Sequence, residues 1–265
     1  MKAFKQHFAG PLAILFVVAL AALSVAWIPV NTSVPPHLRD LITEQRGIVD
    51  HSTHGELFDD FIYLNTTLWD TTAVVSTDGG ASAAVLDSLS ALGVLKISLP
   101  AFKGEGMNIQ TESKPVKIIR ASKPDSSGVE TEYECRFKAT DISQYTLLAG
   151  ICSNDTNLYG GQSNGIYFIK HDGSTTLYGK EIKTNESLAD TVSLGTVANN
   201  TWYRLKLVWN GASVAFYVND IYKGRTSTST KQPVGLNLMP SFECANGDST
   251  VDYTYLDYVR VRQRR

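Results

Sequence analysis

Cysteine and methionine are scarce in this 265-residue chain, with three of each, and no Cys-x-x-Cys pair occurs. Cys135, Cys152 and Cys244 cannot form a closed set of disulfides, and their spacing offers no zinc site. One bridge plus a free thiol stays open for an exported chain. Cys135 falls on an apolar strand face, where a thiol behaves as a small hydrophobe. Charge is also sparse, at 19% of residues with a net of -2. That balance, with an isoelectric point near 6.2, lacks the basic excess of a dedicated nucleic-acid binder. The basic cluster Arg260, Arg262, Arg264 and Arg265 reads as a solvated end. From Phe58 onward no run carries the length and caps of a soluble core helix, and no short repeat recurs. No Gly-x-Ser-x-Gly elbow is present, and Gly160 to Gly165 is a glycine-rich loop with no following helix, so it is no phosphate cradle.

What is there is a β-pattern with ample apolar content, 43% hydrophobic and 10% aromatic. In Thr201 to Arg225, Tyr203, Leu205, Leu207 and Trp209 alternate with Trp202, Arg204, Lys206 and Val208. This is the period of a half-buried strand. Asn210-Gly211 follows, predicting a tight primed turn, and Val214, Phe216 and Val218 alternate along the return strand. Further strands are expected at Phe61 to Leu64, Thr72 to Val75, Val116 to Arg120, Val129 to Ala139, Thr146 to Cys152, Gly165 to Lys170, Val234 to Phe242 and Val251 to Arg262. Ala83 to Leu99 reads as strand, turn, strand. The fold class is all-β, a two-sheet antiparallel jelly-roll sandwich over residues 57–265.

Ahead of it lie two other segments. Residues 1–30 carry Lys2, Lys5 and His7 before an uncharged stretch from Pro11 to Val30. Its length suffices for a helix across a bilayer. It fits equally a signal peptide with Ser24-Val25-Ala26 as cleavage site, and less well an apolar assembly arm. Either of the first two places the sandwich outside the cytoplasm. Residues 31–56 form a linker, with Leu38, Leu41 and Ile42 at helical spacing. The Asp50 to Glu56 stretch holds two histidines and two carboxylates, and reads as a polar loop rather than a metal site. Asn-x-Ser/Thr acceptors start at Asn31, Asn65, Asn154, Asn185 and Asn199, and matter only in a glycosylating host.

Chemistry is harder to place. Glu130, Glu132 and Glu134 share one strand face at about 7 Å intervals, a separation that paired glycosidase carboxylates also use. The stripe continues through Arg136 and Lys138, which favours a solvated mixed-charge face over a catalytic pair. His171 lies in a turn and has no triad company. Asn154 and Asp155 open an oxygen-rich loop able to meet calcium or sugar hydroxyls, although turn chemistry alone explains them. Trp202 and Tyr217 point away from the hairpin core and are the aromatic candidates for stacking on a sugar. No catalytic residue, metal ligand or cofactor is assigned.

The strands Trp202 to Trp209, Val214 to Asp220 and Leu256 to Gln263 resemble the concanavalin A-like lectin/glucanase sandwich. Phe58 to Phe61, Leu86 to Ile97, Asn108 to Thr111, Glu134 to Asp141 and Gly165 to Gly173 resemble a group of tailed-phage structural proteins built on it. That likeness implies a non-enzymatic, oligomeric virion surface protein, a capsid decoration or tail-associated component with other virion proteins as partners. Its N-terminal segment would attach it, and weak contacts to cell-surface glycans would gain strength through repetition. The glucanase branch carries Glu-x-Asp-x-x-Glu on one strand, a spacing this chain lacks. The alternative is a secreted or membrane-anchored carbohydrate-binding module, tethered through residues 11–30, with Trp202, Tyr217, Asn154 and Asp155 as its contacts. A glycoside hydrolase using Glu132 and Glu134 is the third expectation.

Overall fold

The computed structural model describes residues 54–61, 66–74, 85–87, 93–111, 115–119, 130–156, 158, 164–184 and 189–264. The N-terminal hydrophobic segment, the stretch with helical spacing at Leu38 to Ile42 and Asp50 to Thr53 lie outside them.

Two antiparallel eight-stranded sheets form the sandwich. The strands are β1 (His54–Asp59), β2 (Trp69–Val74), β3 (Val85–Asp87), β4 (Leu95–Leu99), β5 (Gly106–Thr111), β6 (Val116–Lys117), β7 (Thr131–Ala139) and β8 (Tyr145–Cys152). They continue as β9 (Gly165–Lys170), β10 (Thr176–Ile182), β11 (Asp190–Thr196), β12 (Tyr203–Trp209), β13 (Val214–Val218), β14 (Ile221–Thr226), β15 (Asn237–Asn246) and β16 (Asp252–Arg264). The first sheet runs β14-β13-β12-β7-β16-β4-β3, with β1 also on β16; the second runs β11-β10-β9-β8-β15-β5-β2, with β6 on β15.

Alternation explains the layering. Tyr203, Leu205, Leu207 and Trp209 are buried while Arg204, Lys206 and Val208 are half-buried, so one face of β12 meets the core and the other meets water. Phe216 meets Phe168 of the opposite sheet edge-to-face at 5.4 Å, and Phe137 lies 6.2 Å from Phe242. These inter-sheet aromatic pairs add to simple area burial. Gly179 is required beneath Phe216, because a Cβ there would come within 2.7 Å of the ring. The Tyr133 hydroxyl crosses the core to donate to the Ser241 carbonyl at 2.9 Å, which gives the buried phenol its partner.

β16 organises the first sheet. It pairs β7 along one flank, and on the other pairs β4 with its first residues and β1 with its last. A bulge between Leu256 and Tyr258 shifts its phase, so Leu256 and Val259 both reach the core although their spacing is odd.

Three expectations need correction. Asp50 to Glu56 is not wholly a loop: His54 begins β1, paired with Arg264. Phe61 is not in a strand; its φ is 51°, and Asp59 holds the kink by accepting the Phe61 N–H and the Trp69 indole N–H. Asn210-Gly211 is not a two-residue primed turn. The β12–β13 loop runs from Asn210 to Ser213, and the Asn210 side chain accepts the N–H groups of Ala212 and Ser213. The primed geometry comes one hairpin later, at Asn219 and Asp220, with φ of 51° and 63°, as that turn type demands.

Candidate functional site

The outer face of the first sheet gathers the aromatic and charged side chains. Its register places Lys138 of β7 opposite Tyr255 of β16, and Tyr255 opposite Lys96 of β4. Trp202, just before β12, extends the same row. The cations sit on the rings: Lys138 Nζ is 4.4 Å from the Tyr255 centroid and 5.3 Å from that of Trp202. Arg136 covers Trp202 at 4.6 Å, and Lys96 covers Tyr253 at 4.2 Å. Farther along, Lys206 lies 5.0 Å above Tyr217, which packs edge-on against Tyr222. Each such contact is worth about 0.5–1 kcal/mol at an exposed site, enough to fix the ring planes.

Next to this row are the paired carboxylates. Glu134 is buried and accepts the Tyr258 hydroxyl. Arg260 reaches Glu132 at 3.0 Å and Glu134 at 3.5 Å. Burial pushes the Tyr258 hydroxyl up, and the bond to Glu134 pushes it further. Arg260 is held charged: burial opposes its cationic form, but Glu134 and Glu132 outweigh that. Further ion pairs on this face join Arg136 with Asp257 at 2.6 Å, Arg262 with Glu56 at 3.6 Å, and Arg204 with Asp220.

The second sheet turns a different face outward. Leu148, Cys152, Tyr167 and Ile169 form a separate apolar cluster, closed by Leu158. Ser153 and Asp155 lie beside it, against β5. Asn108 donates to the Asp155 carbonyl at 2.7 Å, Gln110 accepts the Asp155 N–H at 3.0 Å, and Glu243 accepts the Leu158 N–H at 2.7 Å.

The four sequence-predicted contacts therefore divide. Trp202 and Tyr217 share the open face of the first sheet, while Asn154 and Asp155 follow β8 of the second. Asp155 acts there through its backbone, bonded to Asn108 and Gln110. Sequence reasoning missed Tyr255, Tyr258 and Arg260 as parts of the face, because the bulge in β16 breaks the alternation that would have aligned them. All three cysteines are buried and unbonded, and desolvation pushes the Cys135 and Cys244 thiols up to about 12. Among the described residues no three His, Cys, Asp or Glu side chains converge as a metal site.

No protein-family model matches the chain, and no curated protein matches it. Solved structures do. A Bacillus licheniformis β-glucanase superposes with a TM-score of 0.55 at 16% identity, over 78% of this chain and 97% of that one. A glycoside hydrolase family 16 endo-glucanase from Bacteroides ovatus gives 0.57 at 12% identity, over 77% and 99%. The catalytic domain of a Thermotoga petrophila endo-1,3-β-glucanase (laminarinase) gives 0.57 at 13%, over 79% and 97%. The expected resemblance to tailed-phage structural proteins is corrected by these matches, which are carbohydrate-active enzymes. With it goes the expectation of a non-enzymatic virion component, which rested on that resemblance. The chain has the two-sheet jelly-roll fold of the family 16 glucanases.

Proposed function

We propose that the protein is carbohydrate-active, holding a glycan chain against the outer face of the first sheet and hydrolysing it as a glycoside hydrolase. The observation that carries this is the row of ring faces from Trp202 to Tyr255 beside the Glu132–Glu134 pair. Pyranose rings present flat C–H faces that stack on aromatic side chains, so a fixed row of rings suits a linear polymer. Among the described strands only β7, with Glu130 just before it, presents a run of alternating carboxylates. Glu132 and Glu134 both reach the same Arg260 nitrogen, at 3.0 and 3.5 Å, so the two carboxyl groups stand close together on this face, as a glycosidase's paired carboxyls do. The likeness in fold to endo-glucanases supports the same reading.

The test is release of reducing ends from a panel of polysaccharides that includes laminarin and mixed-linkage β-glucan, by wild-type protein and by the Glu132→Gln and Glu134→Gln variants. Loss of a general acid or base should lower the rate by about a hundredfold or more. Release that survives both substitutions unchanged would remove the pair from the chemistry.

A further inference from the structure

The cations on this face point to the kind of glycan. A neutral polysaccharide needs ring faces and hydrogen-bonding groups, and gains nothing special from ammonium groups. Yet the row alternates ring and cation: Trp202, Lys138, Tyr255, Lys96. Five carboxylates of this face hold arginines, with Glu130 standing apart, exposed just before β7. Glu132 and Glu134 hold Arg260, Asp257 holds Arg136, Glu56 holds Arg262 and Asp220 holds Arg204. Lys138 and Lys206 are outside these pairs and lie instead on the ring faces of Trp202, Tyr255 and Tyr217. These two ammonium groups put positive charge directly beside the rings.

A ring beneath an ammonium group partly replaces its water and fixes its position. The group is thereby ready for an anion at little further cost in ordering. Lys138 and Lys206 are offset by about 13 Å along the strand direction, so they would meet different sugars of one bound chain.

We propose that the polymer taken by this face is an acidic glycan, one carrying carboxylate or sulfate groups, with Trp202 and Tyr255 against its sugar faces and Lys138 and Lys206 on its charges. The proposal rests on the carbohydrate-active reading above and names its substrate class.

The experiment is a calorimetric titration of the full chain with oligomers of matched length: a polyuronate, a sulfated galactan, and neutral laminarin. Wild-type protein is compared with Lys138→Gln, Lys206→Gln, the double variant, and Trp202→Ala, each at low and high salt. Tighter binding of an acidic oligomer than of laminarin, weakened by salt, is expected. Each lysine change should weaken only the acidic ligands, about three- to fivefold, and the double variant about tenfold. The Trp202 change should weaken every ligand that binds. Whichever of polyuronate and sulfated galactan binds tighter identifies the charged group. Equal affinity for laminarin and both acidic oligomers, untouched by the lysine changes, overturns the acidic-glycan proposal and leaves the carbohydrate reading standing. Absence of binding to all three overturns both.

Discussion

The two outer faces of this sandwich start from the same strand periodicity and reach opposite ends. On the first sheet, the residues that alternate with the core include Arg136, Lys138, Lys206, Tyr255 and Arg260, and they stay on the outer face, Lys138 on Tyr255 and the others against Trp202, Tyr217 and Glu132. On the second, the corresponding residues are Leu148, Cys152, Tyr167 and Ile169, and they are buried together with Leu158. Strand β5 shows the consequence: all six of its residues are buried, Asn108 and Gln110 among them. The sheet that keeps its face open can hold a ligand. The sheet that closes its face gains a second small core, and polar groups caught there must find partners, as Gln110, Glu243 and the Asn108 Nδ2 do, although the Asn108 Oδ1 has none among the described residues.

This contrast can be broken by mutation. The largest effect should come from Leu158→Ala, which opens the closed face: about 2–5 kcal/mol of stability lost in chemical denaturation, with glycan affinity at the other face unchanged. Next, Glu243→Ala removes the acceptor of the buried Leu158 N–H and should cost about 1–3 kcal/mol. Amide exchange at Leu158 should accelerate with it. Trp202→Ala should behave in the opposite sense. It should cost about 1–2 kcal/mol through two lost cation–ring contacts and abolish most of the glycan binding.

The smallest effect is a pH dependence of stability. Lys170, buried with its ammonium donating to the Ser143 and Tyr145 carbonyls, is lowered by desolvation from 10.5 to about 8. Between those values the unfolded chain binds more protons, so this group makes stability rise with pH. Cys135 and Cys244 act the other way. Their thiols move from 9.0 to about 12 on burial, the unfolded chain loses its protons first, and stability falls from about pH 9 upward. Melting temperatures should therefore pass through a maximum between about pH 8 and 9. Lys170→Met should remove the rising limb, and an unchanged curve would discard the assignment to this residue.

How far the fold could be read from the sequence depends on this same contrast. β12 and β13 are legible because one side of each faces core and the other water, which writes a period of two into the residues, and β16 keeps that period on either side of its bulge but not through it. β10 (TLYGKEI), β11 (DTVSLGT) and β14 (IYKGRT) are not, since glycine, threonine and charge stand where the pattern needs apolar residues. In β5 buried polar residues bond to a segment far along the chain, so no local signal marks them. Within the site, Trp202 and Tyr217 were legible as residues out of phase with the core. Arg260 and Tyr258 were hidden by the bulge, and the separation of Asn154 and Asp155 from the aromatic pair is a matter of which sheet a loop adjoins. A resemblance in wording to phage structural proteins misled on function, because the sandwich positions those words describe recur wherever the fold does.

The placement of β16 has a consequence for how the molecule is made. β1 pairs with it alone among the described strands, β4 and β7 each need it to fill one edge, and all three are synthesised before it. Until β16 emerges, the nascent chain carries β7 and β1 as unsatisfied edges, nearly the whole described length separating His54 from its partner Arg264. Closure at such sequence distance is slow, and open edges invite pairing with a neighbouring chain meanwhile. The strand that completes the ligand-bearing face thus also ends the interval in which the newborn protein is most prone to aggregate.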